Sequence, residues 1–178
     1  MTGVQTCALP ILSESASEND LKAIEIQLGR SPRDVSAVAF RCPCGNPAVV
    51  ETKPRLSDGT PFPTFYYATC PNLTAEISTL ENSSLMAEMN DRLERDAELM
   101  GHYRAAHDDY LAARAALGID VPELAGISAG GMPDRVKCLH SLIAHSLAAG
   151  NDVNPLGDEA LAQLPQWWEN GNCIERRS

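Results

Sequence analysis

The chain has no apolar run long enough to cross a bilayer, which excludes a membrane-spanning helix. It also lacks positive charge. Its 14 basic residues are outnumbered by 24 acidic ones, for a formal net charge of −10. General binding to nucleic-acid phosphates is thereby excluded. No basic segment precedes the N-terminal apolar stretch, so a signal peptide is the weakest reading of that end. Without secretion the sequons at Asn72 and Asn82 carry little meaning. There is no internal repeat. There is no paired C-x-x-C knuckle, the spacing that would signal zinc most strongly. What remains is ordinary globular composition, 44% hydrophobic and 21% charged, over 178 residues. That is enough for one domain with a real core and too little for two large ones.

The first eleven residues, MTGVQTCALPI, resemble the in-frame translation of a sequencing adapter; a genuine unstructured tail is the alternative. Residues 1–19 are therefore expected to be an artefact followed by a disordered stretch, 20–168 a single domain, and 169–178 a frayed tail. With Cys7 set aside, five cysteines remain: Cys42, Cys44, Cys70, Cys138 and Cys173. An odd number without an export signal argues against a disulfide framework and for reduced thiols, some of them metal ligands.

Patterning predicts an α+β fold, a three-stranded antiparallel meander with a cysteine-rich end packed against about five helices. Asp20 can cap a short helix ending at Gly29. VSAVAFRC, PAVVETK and TFYYATC read as strands, the first two joined by the turn PCGNP. From Asn72 onward the apolar spacing is helical: Leu73, Ile77 and Leu80, then Met86, Met89 and Leu93, then a helix capped by Asp96. Pro133 suits the first turn of a helix running to about Ala149. Residues 158–168 predict a last short helix.

Alternating strand direction brings Cys42, Cys44 and Cys70 to one end of the sheet, because neighbouring strands lie ~5 Å apart. A closed site needs a fourth ligand, and Cys138, in the second turn of the helix opening at Pro133, is the residue chosen. His140 points away from it and is assigned to support the site rather than to bind; His145 lies too far along the axis. Cys173, in the tail, is the weaker candidate. Zinc is the first choice of cofactor and an iron–sulfur cluster the second, with small buried thiols holding no metal as the third reading.

Other features are weaker. GISAG matches a nucleophile pattern around Ser128, but no strand precedes it. The stretch SAGGMPDR, running into a helix start, predicts an anion pocket from Ser128, Gly130, Gly131, Arg135 and Lys137 beside the metal. His107 reads as a core histidine, Asp108 and Asp109 as solvated charges, and Trp167–Trp168 as a cap on the core.

The segments LGRSPRDVSAVAFRCPCGNPAVVETKPRLSDGTPFPTFYYATCP, HYRAAHDDYLAAR and SAGGMPDRVKCLHSLIAHSLAAGNDVNPLGDEAL resemble DUF501, a bacterial family of unknown function typical of actinobacteria. The resemblance covers roughly residues 21–164 and includes Cys42, Cys44, Cys70, Cys138 and His140. It implies a cytoplasmic protein and supplies no activity. The expected function is a metal-binding interaction or regulatory module with a protein partner, its cysteine site structural. The alternative is an enzyme using a metal or iron–sulfur site on a small phosphate- or carboxylate-bearing molecule.

Overall fold

The computed structural model describes residues 13–175. The adapter-like stretch and Cys7 lie outside the described residues. Among the described residues three strands and six α-helices follow one another: α1 (Glu18–Leu28), β1 (Val35–Arg41), β2 (Pro47–Thr52), β3 (Tyr66–Ala68), α2 (Pro71–Glu81), α3 (Leu85–Arg95), α4 (Ala97–Ala115), α5 (Leu139–Ala149) and α6 (Pro155–Ala162). The sheet has the order β1-β2-β3, antiparallel throughout, so the α+β meander stands.

The N-terminal stretch is ordered earlier than patterning predicts. Glu14 makes a two-way backbone bridge to Val38, 2.9 and 2.7 Å. The α1 cap is Ser17, not Asp20. Ser17 and Asp20 form a capping box, which satisfies two free backbone donors at once. The helix buries Asp20, Ala23, Ile24 and Gln27, spaced as one helical face. Two of these four are polar, and each has a specific partner. Asp20 takes Arg41 Nη1 at 2.7 Å, which ties α1 to the last residue of β1. Gln27 Nε2 donates to the Pro47 carbonyl at 2.8 Å, at the start of β2.

The third strand is shorter than the TFYYATC run suggests. The Phe65 N–H donates to the Tyr110 hydroxyl at 2.6 Å. Tyr110 is wholly buried, and burial pushes its phenol up to about 12. Beyond β3, the Thr69 N–H still reaches the Ala48 carbonyl at 2.8 Å, so the chain stays against β2 up to Cys70.

The helices then wrap the sheet. Pro71 opens α2, where its missing N–H costs nothing. Asp96 ends α3 and caps α4, accepting from the N–H groups of Glu98 and Leu99. α5 buries eight of its eleven residues, as a helix apolar nearly all round must. It packs on β3, α2 and α6. Gly157 of α6 has no room for a side chain, because a Cβ there would lie 2.4 Å from the Leu142 carbonyl oxygen.

One element differs in a way that matters for function. No helix opens at Pro133. Residues 130–134 form turns, 135–138 are irregular, and α5 begins at Leu139. The reason is local. Gly130 and Gly131 adopt φ of 69° and 95°, and the Arg135 and Lys137 N–H groups return to the Gly131 and Gly130 carbonyls at 3.1 and 2.7 Å. A Cβ on Gly131 would lie 2.4 Å from the Arg135 oxygen, so only glycine permits this path.

Candidate metal centre

β1 delivers Cys42 to the cysteine-rich end of the sheet, and a tight turn follows: the Gly45 N–H donates to the Cys42 carbonyl at 2.8 Å, and Cys42 N–H to Asn46 at 2.9 Å. This turn carries Cys44. Cys70 sits directly before α2. The chain thus brings Cys42, Cys44 and Cys70 to one end of the meander.

The fourth thiol is Cys173. Its Sγ lies 3.4 Å from Cys44 Sγ, and it hydrogen-bonds Cys70. Cys42 in turn bonds Cys44. The four form a row, Cys42–Cys44–Cys173–Cys70. Cys42, Cys70 and Cys173 are buried, Cys44 is half-buried, and none is in a disulfide. The C-terminal stretch that carries Cys173 is anchored, not frayed, at this point. Trp167 is buried on the core, and Asn46 Nδ2 donates to Asn172 Oδ1 at 2.8 Å.

Donors surround the sulfurs. Gln27 Nε2 reaches Cys173 Sγ at 3.1 Å, and Asn46 Nδ2 reaches Cys44 Sγ at 3.5 Å. The electrostatics are uneven. A hydrogen bond from Cys173 holds the Cys70 thiol below its ordinary range, helped by the Leu73 and Asn72 N–H groups at the start of α2. That same bond, with burial, pushes Cys173 up. Burial raises Cys42 to about 11.

Cys138 is not in this row. It caps α5 beside His140 and Glu81, the last residue of α2. Cys70 precedes α2, so the two places are separated by most of a helix of about 16 Å. His140 Nδ1 lies 3.2 Å from Glu81 Oε1, and the Leu139 N–H donates to the same oxygen at 2.6 Å. The Cys138 bond and Glu81 together raise His140 to about 9. Burial raises Cys138, but bonds from His140 and the Ser141 N–H outweigh it and the thiol is lowered. Among the described residues, this trio alone has donor atoms all within 4.8 Å of one another. Sequence reading singles out Cys138 and His140 but not Glu81, which carries no motif signal at a helix end 57 positions away.

The anion pocket is not assembled. With no helix at Pro133, its backbone donors are spent inside the turns, and Val136 N–H goes to Asn90 Oδ1 at 2.8 Å. Arg135 and Lys137 point to solvent. Ser128 is buried, donates to the Met132 carbonyl at 3.3 Å and meets His107 Nδ1 at 2.8 Å. Both contacts lie inside the fold, and no strand leads into Ser128 as a nucleophile turn requires. Asp109 is not merely solvated: its Oδ2 accepts from the fully buried His145 at 2.9 Å, while Asn154 Nδ2 faces His145 Nδ1 at 3.2 Å. That pairing places the His145 proton on Nε2.

A short antiparallel meander, wrapped by helices and gathering four thiols at one end, defines the class: an α+β domain with a cysteine cluster. The chain belongs to DUF501, described as a protein of unknown function, whose family pattern matches residues 38–162. Three of the clustered thiols and the whole Glu81–Cys138–His140 trio fall inside that span; Cys173 falls outside it. No curated protein and no solved structure matches the chain.

Proposed function

We propose that this chain is a metal-binding domain in which Cys42, Cys44, Cys70 and Cys173 hold one zinc ion, and that the ion is structural. The observation that carries this is the row of four thiols. They come from a strand end, a turn, a helix start and the C-terminal segment, and one shared ion would account for the meeting of four such separate stretches. The 3.4 Å between Cys44 and Cys173 is near the ~3.8 Å edge of a tetrahedral zinc–thiolate site. The ion draws the two ends of the row inward. Gln27 and Asn46, donating to sulfur, orient the ligands from outside, as supporting shells of metal sites do.

Four thiolates fill a tetrahedral ion, leaving no open position for chemistry. The domain therefore acts through the surface that the ion stabilises, as an interaction or regulatory module. Relative to the sequence-based assignment, Cys173 takes the place given to Cys138.

Metal analysis of protein purified without oxygen, with a visible spectrum, tests the reading. One zinc equivalent should vanish in Cys173→Ser, and the protein should be colourless. A Cys173→Ser variant with its full zinc content would overturn the ligand set, and an iron-coloured protein would overturn zinc.

A further inference from the structure

A second metal site follows from the other end of α2. We infer that Glu81, Cys138 and His140 bind a zinc-class divalent ion through three ligands, leaving a fourth position open to a groove. The case begins with donor chemistry. A carboxylate oxygen, a thiol sulfur and an imidazole nitrogen are the three ligand types that zinc accepts, and here they converge within 4.8 Å. The 3.2 Å between His140 Nδ1 and Glu81 Oε1 matches the ~3.3 Å edge expected of two ligands bound to one tetrahedral zinc.

The second argument is support. The Leu139 N–H fixes Glu81 Oε1 at 2.6 Å. Ser78 Oγ lies 3.5 Å from His140 Nε2, the nitrogen that the ion would not use. Metal-binding histidines usually engage their second nitrogen in this way. Gly130 and Gly131 aim the turn that ends in Cys138, and a side chain on Gly130 would press within 3.0 Å of Leu142 on α5.

The third argument is access. Cys138 and His140 line a groove of about 440 Å³ together with Ser141, Thr74, Tyr66 and Gln27. That volume suits a small molecule. Three protein ligands with the remaining position facing such a groove is the arrangement of a zinc that binds water or a ligand oxygen, in contrast to the saturated cysteine cluster. The two sites are independent, and either can exist without the other.

The test uses the full chain, loaded with zinc and freed of excess metal. Zinc content is measured in the wild type, Cys138→Ser, Glu81→Gln and Cys173→Ser. The wild type should hold two equivalents, Cys138→Ser and Glu81→Gln one each, and Cys173→Ser one. Two other results separate the proposals. One equivalent that is lost in Cys138→Ser and kept in Cys173→Ser supports this site and removes the cluster's zinc. One equivalent that is kept in Cys138→Ser and lost in Cys173→Ser overturns this site and leaves the cluster. Alkylation of the unsubstituted protein guards against variants that misfold: bound zinc should slow labelling of Cys138 at least tenfold, mapped by mass spectrometry. Equal labelling with and without zinc overturns the site.

Discussion

The two ends of α2 use sulfur in opposite ways. Before its first residue, Cys70 joins three other thiols, most of them buried, in a group made of sulfur alone. At its last residue, the Glu81 carboxylate meets Cys138 and the His140 imidazole, all half-buried, with the thiol and the imidazole beside a groove. A ligand set of four thiols, mostly buried, favours permanence, because its only alternative to an ion is a set of desolvated thiols. A mixed set of three, with each member already satisfied by hydrogen bonds, tolerates the loss of an ion. The difference teaches which end should matter for stability and which for ligand binding.

The largest effect expected is therefore at the Cys70 end. Stripping metal with a strong chelator, or Cys70→Ser, should cost several kcal/mol of stability, because binding to a structural site is coupled to folding. Thermal unfolding with and without chelator measures it. Cys138→Ser should unfold within a degree or two of the wild type. Equal losses from the two serine variants would erase the contrast between the ends.

Gly131→Ala comes next and strikes the other end. Its φ of 95° and the 2.4 Å overlap with the Arg135 oxygen leave alanine no fitting conformation. A cost of about 2 kcal/mol or more is expected. The turn that aims Cys138 should suffer and the cluster should not. Zinc content should drop by one equivalent while the Cys173-dependent equivalent stays.

How far these ends could be read from sequence differs for a physical reason. Cys42, Cys44 and Cys70 were legible because strand alternation is a local rule with a geometric consequence: β1 ends, the first turn runs and β3 ends at the same edge of the sheet. Cys173 was not, since its contact with Cys44 spans 129 positions and its flanking residues, Glu-Asn-Gly-Asn, carry no periodic signal. The paired tryptophans just before it were the available hint, an apolar anchor holding a polar segment down. The Cys138 end failed differently. Proline in GMPDR satisfied the rule for a helix start, but the two glycines before it needed left-handed backbone, and turn chemistry prevailed over helix propensity. Shifting the helix start to Leu139 removed the anion pocket and turned Cys138 toward Glu81. Among the described residues six α-helices form where about five were expected.

A smaller effect belongs to the Cys42 end. Asp20 anchors Arg41, and the bond from Arg41 holds its carboxyl well below the usual carboxylate range. A depressed folded pKa means that the contribution is present above the unfolded value of about 3.9 and is lost as pH falls through the folded one. Asp20→Asn should then cost about 1 kcal/mol at neutral pH, since Arg41 is partly exposed to water. The gap between variant and wild type should close in strong acid. Denaturant unfolding at two pH values checks it, and a gap that stays the same from neutral pH to strong acid would mean that the Asp20 charge does not contribute.

Ser78→Ala is the mildest test and the one that resolves the open site most finely. Ser78 is exposed and its hydroxyl already donates to the Thr74 carbonyl at 2.8 Å, so its loss should leave stability within ~0.5 kcal/mol. Its 3.5 Å contact with His140 Nε2 is long, and partners of metal-bound histidines at full strength are worth tenfold or more in affinity. A loss of only a few-fold is expected here, read by competition titration against a zinc chelator. The size of the loss identifies the ligand atom. If Nδ1 binds the ion beside Glu81, Nε2 keeps its proton and the serine steadies the ring, so affinity falls slightly. If Nε2 were the ligand, it would carry no proton for the serine oxygen to accept, and removing the hydroxyl would leave affinity unchanged.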